Sequence, residues 1–79
     1  MQLIGLEGLL QFLTLLREKG VYHRIEQQND ESIEVALDMV GIRCEVSFFV
    51  DHVEYSVFRG HEDVETDTAA LLKLIEDNA

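Results

Sequence analysis

The stretch IRCEVSFFVDHVEYSVFRG, residues 42–60, alternates apolar and polar side chains along most of its length. A period of two marks a strand with one face on a core and the other free. The pattern breaks at Asp51-His52, and reading those two residues as a tight turn folds the stretch into a hairpin. Ile42, Cys44, Val46, Phe48 and Val50 then point inward from one strand, and Val53, Tyr55 and Val57 from the next. Two aromatics, Phe49 and Phe58, fall in the polar phase, and outward rings among acids resemble a binding surface more than plain solvent. The alternative is that the chain ends cover Phe58 or that a strand twists.

The preceding IEVALDMV, residues 33–40, continues the alternation, with Ile33, Val35, Leu37 and Met39 inward and Val40-Gly41 as a second tight turn. A one-residue slip would send every core side chain to the wrong face, so the two turns can be checked against each other. They pair Met39 with Ile42, Leu37 with Cys44, Val50 with Val53, Phe48 with Tyr55 and Ser47 with Ser56, and set Asp38 opposite Arg43. Apolar meets apolar in both registers. Upstream, VYHRIEQQ at residues 21–28 puts Val21, His23 and Ile25 on one side and Tyr22, Arg24 and Glu26 on the other, before a QNDES loop. Pairing Ile25 with Ile33 sets Arg24 against Glu34, and Tyr22, Ala36, Glu45 and Phe58 then form one outward row.

Helical periodicity flanks this sheet. A first helix is expected from about Leu3 to Lys19, stopped by Gly20 in the left-handed position that follows a helix end. Leu3, Leu6, Leu9, Leu10, Leu13 and Leu16 fill its broad buried face with Phe12 at the edge, while Ile4 and Leu15 fall outside the stripe. After the polar loop GHEDVETDT, residues 60–68, a second helix TAALLKLIED buries Leu71, Leu72, Leu74 and Ile75, with Thr66 or Asp67 as N-cap. The expected fold is α+β in the order α-β-β-β-β-α: a four-stranded antiparallel meander with both helices packed on one face.

At 79 residues the chain has apolar surface for one modest core, so residues 1–79 form a single domain without room for a large enclosed site. Domains this small are often held by disulfides, a metal or a partner subunit, and one cysteine excludes an internal disulfide. Of these three devices, oligomerisation fits the sequence best. The lone cysteine leans toward a reducing compartment. The run MQLIGLEGLLQFLTLL has no basic residue before Arg17, is interrupted by Glu7 and Gln11, and is too short to span a bilayer. It is read as a helix of a cytoplasmic protein with no membrane contact.

The net charge of −10 is unevenly placed. Residues 1–26 balance Arg17, Lys19 and Arg24 against Glu7, Glu18 and Glu26, so the acidic excess lies in the last two thirds. Such a field repels nucleic acid and anionic membranes and attracts basic proteins; it also confers solubility, which is the plainer reading. Aromatics on an open sheet suit stacked RNA bases, but here the cations that RNA needs are only Arg24 and Arg43. No nucleic acid is expected.

Cys44 lies in the inward phase and reads as a structural thiol; His23 likewise reads as a core histidine, and His52 as a turn residue. His61, Glu62, Asp63, Glu65 and Asp67 offer oxygen ligands, yet their spacing matches neither an EF-hand loop nor an HExxH helix. With no GxGxxG, P-loop or nucleophile elbow, no cofactor, no metal and no enzymatic activity are expected. The composition favours a binding module that engages a basic protein through the acidic loop (Glu62, Asp63, Glu65, Asp67) and the open sheet face (Glu34, Glu45, Phe49, Glu54, Phe58). The rival is a self-associating homodimer that buries the first helix's leucines or the outward phenylalanines.

The run GIRCEVSFFVDHVEYSVFRG, a short acidic loop, and then ETDTAALLKLIED resembles small acidic bacterial proteins of the immunity type, encoded beside secreted toxins. The chain differs in lacking tryptophan. The resemblance implies a compact acidic cap that binds a toxin's basic surface by charge and shape, and it assigns no catalytic residue.

Overall fold

The computed structural model describes residues 3–58 and 64–78. Within them the chain runs α1 (Gly5–Glu18), β1 (Tyr22–Glu26), β2 (Ser32–Met39), β3 (Ile42–Phe49), β4 (Val53–Phe58), β5 (Val64–Glu65) and α2 (Thr68–Asn78). The α+β architecture and α-β-β-β-β-α order are as expected, with a fifth two-residue strand added at the far edge. All strands are antiparallel in sequential order β1-β2-β3-β4-β5.

Backbone geometry explains the punctuation. Gly20 has φ +68°, and the N–H groups of Gly20 and Val21 donate to the carbonyls of Arg17 at 3.2 Å and Leu16 at 2.9 Å. These two bonds satisfy the last carbonyls of α1 and turn the chain straight into β1. At the β2–β3 turn Gly41 has φ +73° while, among the described residues, no non-glycine has positive φ. That combination fits a type II turn, in which only the third position must be left-handed. Gly41 is thus the residue that lets Met39 pair with Ile42 as expected.

The other two registers differ from expectation by two residues. β3 and β4 pair Phe48 with Val53, Val46 with Tyr55 and Arg43 with Phe58. Their turn is therefore Val50-Asp51, one residue earlier than Asp51-His52, and Val50 is 85% exposed at its tip instead of inward. The Phe49 N–H donates to the His52 carbonyl at 2.9 Å and closes the hairpin. β1 pairs Ile25 with Val35 and Arg24 with Ala36, not with Ile33 and Glu34. The loop before β2 explains this shift: Asn29 Oδ1 accepts from the N–H groups of Glu31 at 2.8 Å and Ser32 at 3.0 Å, and so shapes the connection. A two-residue slip keeps every side chain on its face. The outward row becomes Tyr22, Asp38, Arg43 and Phe58, the two shifts having cancelled at its ends.

One core joins both helices to one face of the sheet: Phe12 and Leu16 from α1, Leu71 and Ile75 from α2, and Val35, Leu37, Cys44, Val46, Phe48, Val53 and Tyr55 from the strands. The stripe of α1 is turned from its expected setting. Phe12 sits at its centre, completely buried with its ring 5.4 Å from that of Phe48, whereas Leu6 and Leu10 are 69% and 55% exposed. A phenylalanine buries more area than a leucine, and Gly8, one turn before it, is buried on the same face of the helix. Leu9 and Leu13 pack at the margin. α2 buries Leu71 and Ile75 with Leu72 and Leu74 partly covered, matching expectation. Its N-cap is Asp67, whose Oδ1 accepts the Ala70 N–H at 3.2 Å. The buried Tyr55 hydroxyl donates to the Asp67 carbonyl at 2.8 Å and ties the start of α2 to β4. No described helix is long and apolar enough to cross a membrane.

The rotation of α1 is directly testable. Phe12→Ala is expected to lower stability by about 3–5 kcal/mol, as for other buried aromatics. Leu6→Ala, with its side chain in solvent, should change it by less than about 0.5 kcal/mol. Urea unfolding of both variants checks this, and equal losses would restore the leucine-centred stripe.

Candidate functional site

The face of the sheet away from the helices carries the candidate site. Cross-strand partners share a face, so the register assembles it in rows. One row is Glu26, Glu34, Ser47 and Glu54; the next is Arg24, Ala36, Glu45 and Ser56. Glu34, Glu45 and Glu54, expected to share one surface, therefore do. The shifted register also sets Glu26 directly opposite Glu34, a like-charge pair that sequence reasoning had not placed there.

Several contacts hold this acidic patch. Gln28 Nε2 donates to Glu26 Oε2 at 3.3 Å and to Glu34 Oε2 at 3.1 Å, bridging the two carboxylates. Arg43 Nη2 lies 3.7 Å from Glu45 Oε1, so Arg43 meets Glu45 although Asp38 is its register partner. The Glu34 carboxyl is held above its ordinary range, first by partial burial, then by the hydrogen bond and charge of Glu45 and the charge of Glu26; Arg43 offsets part of this. Ala36 is buried despite its outward direction, lying between the neighbouring strands' Arg24 and Glu45.

At one end of the patch His52 organises the β3–β4 turn. Its ring stacks on Phe49 with centroids 4.5 Å apart and planes 3° from parallel. Nδ1 lies 2.7 Å from Asp51 Oδ1, and Nε2 lies 2.8 Å from Glu54 Oε2. Carboxylates only accept, so both ring nitrogens donate in the protonated ring. Those two bonds, Asp51 first, raise the His52 pKa above its ordinary 6.5, and the bond to His52 lowers that of Asp51 below 3.8. Phe49 is thus half-buried with one face capped, rather than a bare aromatic anchor. The reading of His52 as only a turn residue missed this role. The turn one residue earlier would have revealed it, because Phe49 and His52 then flank a two-residue loop and face each other.

The remaining expected residues are placed less centrally. Phe58 is half-buried and pairs with Arg43. Tyr22, 65% exposed at the far end of the same row, is an outward aromatic that the candidate set had omitted. Asp67 lies apart from the patch, at the start of α2, where its side chain caps the helix. Glu65 belongs to β5, opposite Tyr55. Glu62 and Asp63, with His61, lie outside the described residues. Cys44 is fully buried. His23 is half-buried, with its Nδ1–H donating to the Val21 carbonyl at 2.9 Å. Among the described residues, no three His, Cys, Asp or Glu side chains are grouped to hold a metal ion. Comparison with protein-family models, with curated proteins and with solved structures gives no match to this chain.

The histidine clamp has a pH signature of definite sign. A raised folded-state pKa means that the clamp's contribution is complete below about pH 6.5 and is lost as pH rises through the folded value. Followed by NMR, His52 should titrate above 6.5, and Glu54→Gln should move its midpoint down. An ordinary midpoint unaffected by that substitution would show that the clamp does not hold in solution.

Proposed function

We propose that this chain is a small acidic, non-enzymatic protein-binding module of the immunity or inhibitor kind, whose open sheet face engages a basic protein partner. The observation that carries this reading is the carboxylate row. Glu26 and Glu34 stand directly opposite each other, and the Glu34 carboxyl is raised by burial and by Glu45. Like charges opposed across a sheet destabilise it, so the isolated fold keeps this arrangement at a cost that cationic side chains from a partner would relieve. The half-buried Phe58 and exposed Tyr22, at the ends of the row beyond Arg24, Ala36, Glu45 and Ser56, supply apolar surface on the same face. The net charge of −10 adds long-range attraction for a basic surface. Among the described residues, Arg24 and Arg43 are the cations that face offers, which disfavours nucleic acid.

The test is kinetic. A partner captured on the immobilised chain from cell extract should be basic. Its association rate should fall at least tenfold between about 0.1 M and 1 M salt, as the screening length shrinks from about 10 Å to 3 Å. Glu34→Gln combined with Glu45→Gln should slow association and leave the circular dichroism spectrum unchanged. An association rate that ignores both salt and these substitutions would refute the reading.

A further inference from the structure

β1 is an edge strand, and among the described residues nothing pairs with its outer side. In an antiparallel sheet the backbone groups of successive residues point to opposite neighbours. Met39 and Ile42 flank a two-residue turn and so bond to each other; Glu34, Ala36 and Asp38 are then the β2 residues that bond toward β1. Their partners Glu26, Arg24 and Tyr22 are satisfied, which leaves His23 and Ile25 with N–H and C=O groups directed to the open edge. Ile25 also has the inward phase, yet it is 54% exposed. Natural sheets usually blunt such an edge with an inward charge, a proline or a bulge. Here an isoleucine stands at that place.

α1 carries exposed apolar side chains as well. It packs across β1 and β3. Its N-terminal Ile4 shares a depression with Asp51, His52, Thr66 and Thr68, at the β3–β4 turn and the start of α2. At about 100° per residue Leu6 and Leu10 lie roughly 120° and 160° round the helix from the buried Phe12, on the side turned away from the sheet. Leu6 and Leu10 are exposed there.

The geometry points to a second copy of this chain as the occupant of that edge, joined β1 to β1 in antiparallel register with the two-fold axis at Ile25. Charge selects both the partner and the register. Residues 1–26 carry three basic and three acidic groups, so two chains of net charge −10 approach each other best through this neutral portion. With the axis at Ile25, His23 and Ile25 take the hydrogen-bonded positions and Arg24 lies opposite Glu26 of the second copy, twice by symmetry. Moving the axis to Arg24 sets arginine against arginine, and moving it to His23 sets arginine against Tyr22. Only the Ile25 register pairs opposite charges; it shares Glu26 with the carboxylate row but needs no basic partner, because the edge hydrogen bonds come from the backbone of His23 and Ile25.

Light scattering and sedimentation across the weak-association range of about 1 μM to 1 mM test this proposal. The mass should rise with concentration from 9.1 kDa to twice that value and stop there. Arg24→Glu should weaken association at least tenfold, and Arg24→Glu with Glu26→Arg should restore it. Ile25→Lys should give a monomer with an unchanged circular dichroism spectrum; if that variant fails to fold, the charge swap alone decides. A chain that stays monomeric, assembles beyond a dimer, or dimerises regardless of the charge swap overturns the proposal. So does an edge that takes up only an unrelated extended peptide.

Discussion

The contact between Phe12 and Phe48 sets the position of α1, and through it most of what the surface displays. Once the ring of Phe12 is buried against Phe48, near the end of β3, a rigid helix with 3.6 residues per turn cannot bury Leu6 and Leu10 on the same sheet. The leucines left outside are a consequence of that one packing choice. So is the narrowness of the core, which draws on Phe12 and Leu16 and only the margins of Leu9 and Leu13.

The sheet shows what a period-two pattern can convey. Inward and outward sets were legible from alternation alone for the three central strands, because shifting one residue would bury Glu34, Glu45 and Glu54 and expose Val35, Val46 and Tyr55. A shift of two residues has no such penalty, and two of the three registers moved by that amount. The β2–β3 register was readable because Gly41 supplies the one left-handed residue its turn requires. The β3–β4 turn has no glycine, so nothing local separated Val50-Asp51 from Asp51-His52. The deciding interactions lie across the hairpin, in the stack of His52 on Phe49 and the carboxylates that grip its ring.

The candidate site was legible to the same degree. Glu34, Glu45 and Glu54 were placed on one surface by parity. The opposition of Glu26 to Glu34 depended on a loop shaped by Asn29, whose side chain takes the place of a backbone partner. In the helices, leucine content was misleading for α1, because the six leucines centre roughly 110° round the helix from Phe12, and the larger ring, not their number, sets which side is buried. α2, with one compact stripe and an aspartate at its start, was read correctly.

Cys44 lies on β3, the middle strand of five, with none of its surface open to solvent. A thiol reagent reaches it only when β3 parts from its neighbours or the helices lift away, so alkylation proceeds at the frequency of those openings. Nature has left a stopwatch in the centre of the molecule: the labelling rate of one sulfur reads out how often the core opens, with no probe added.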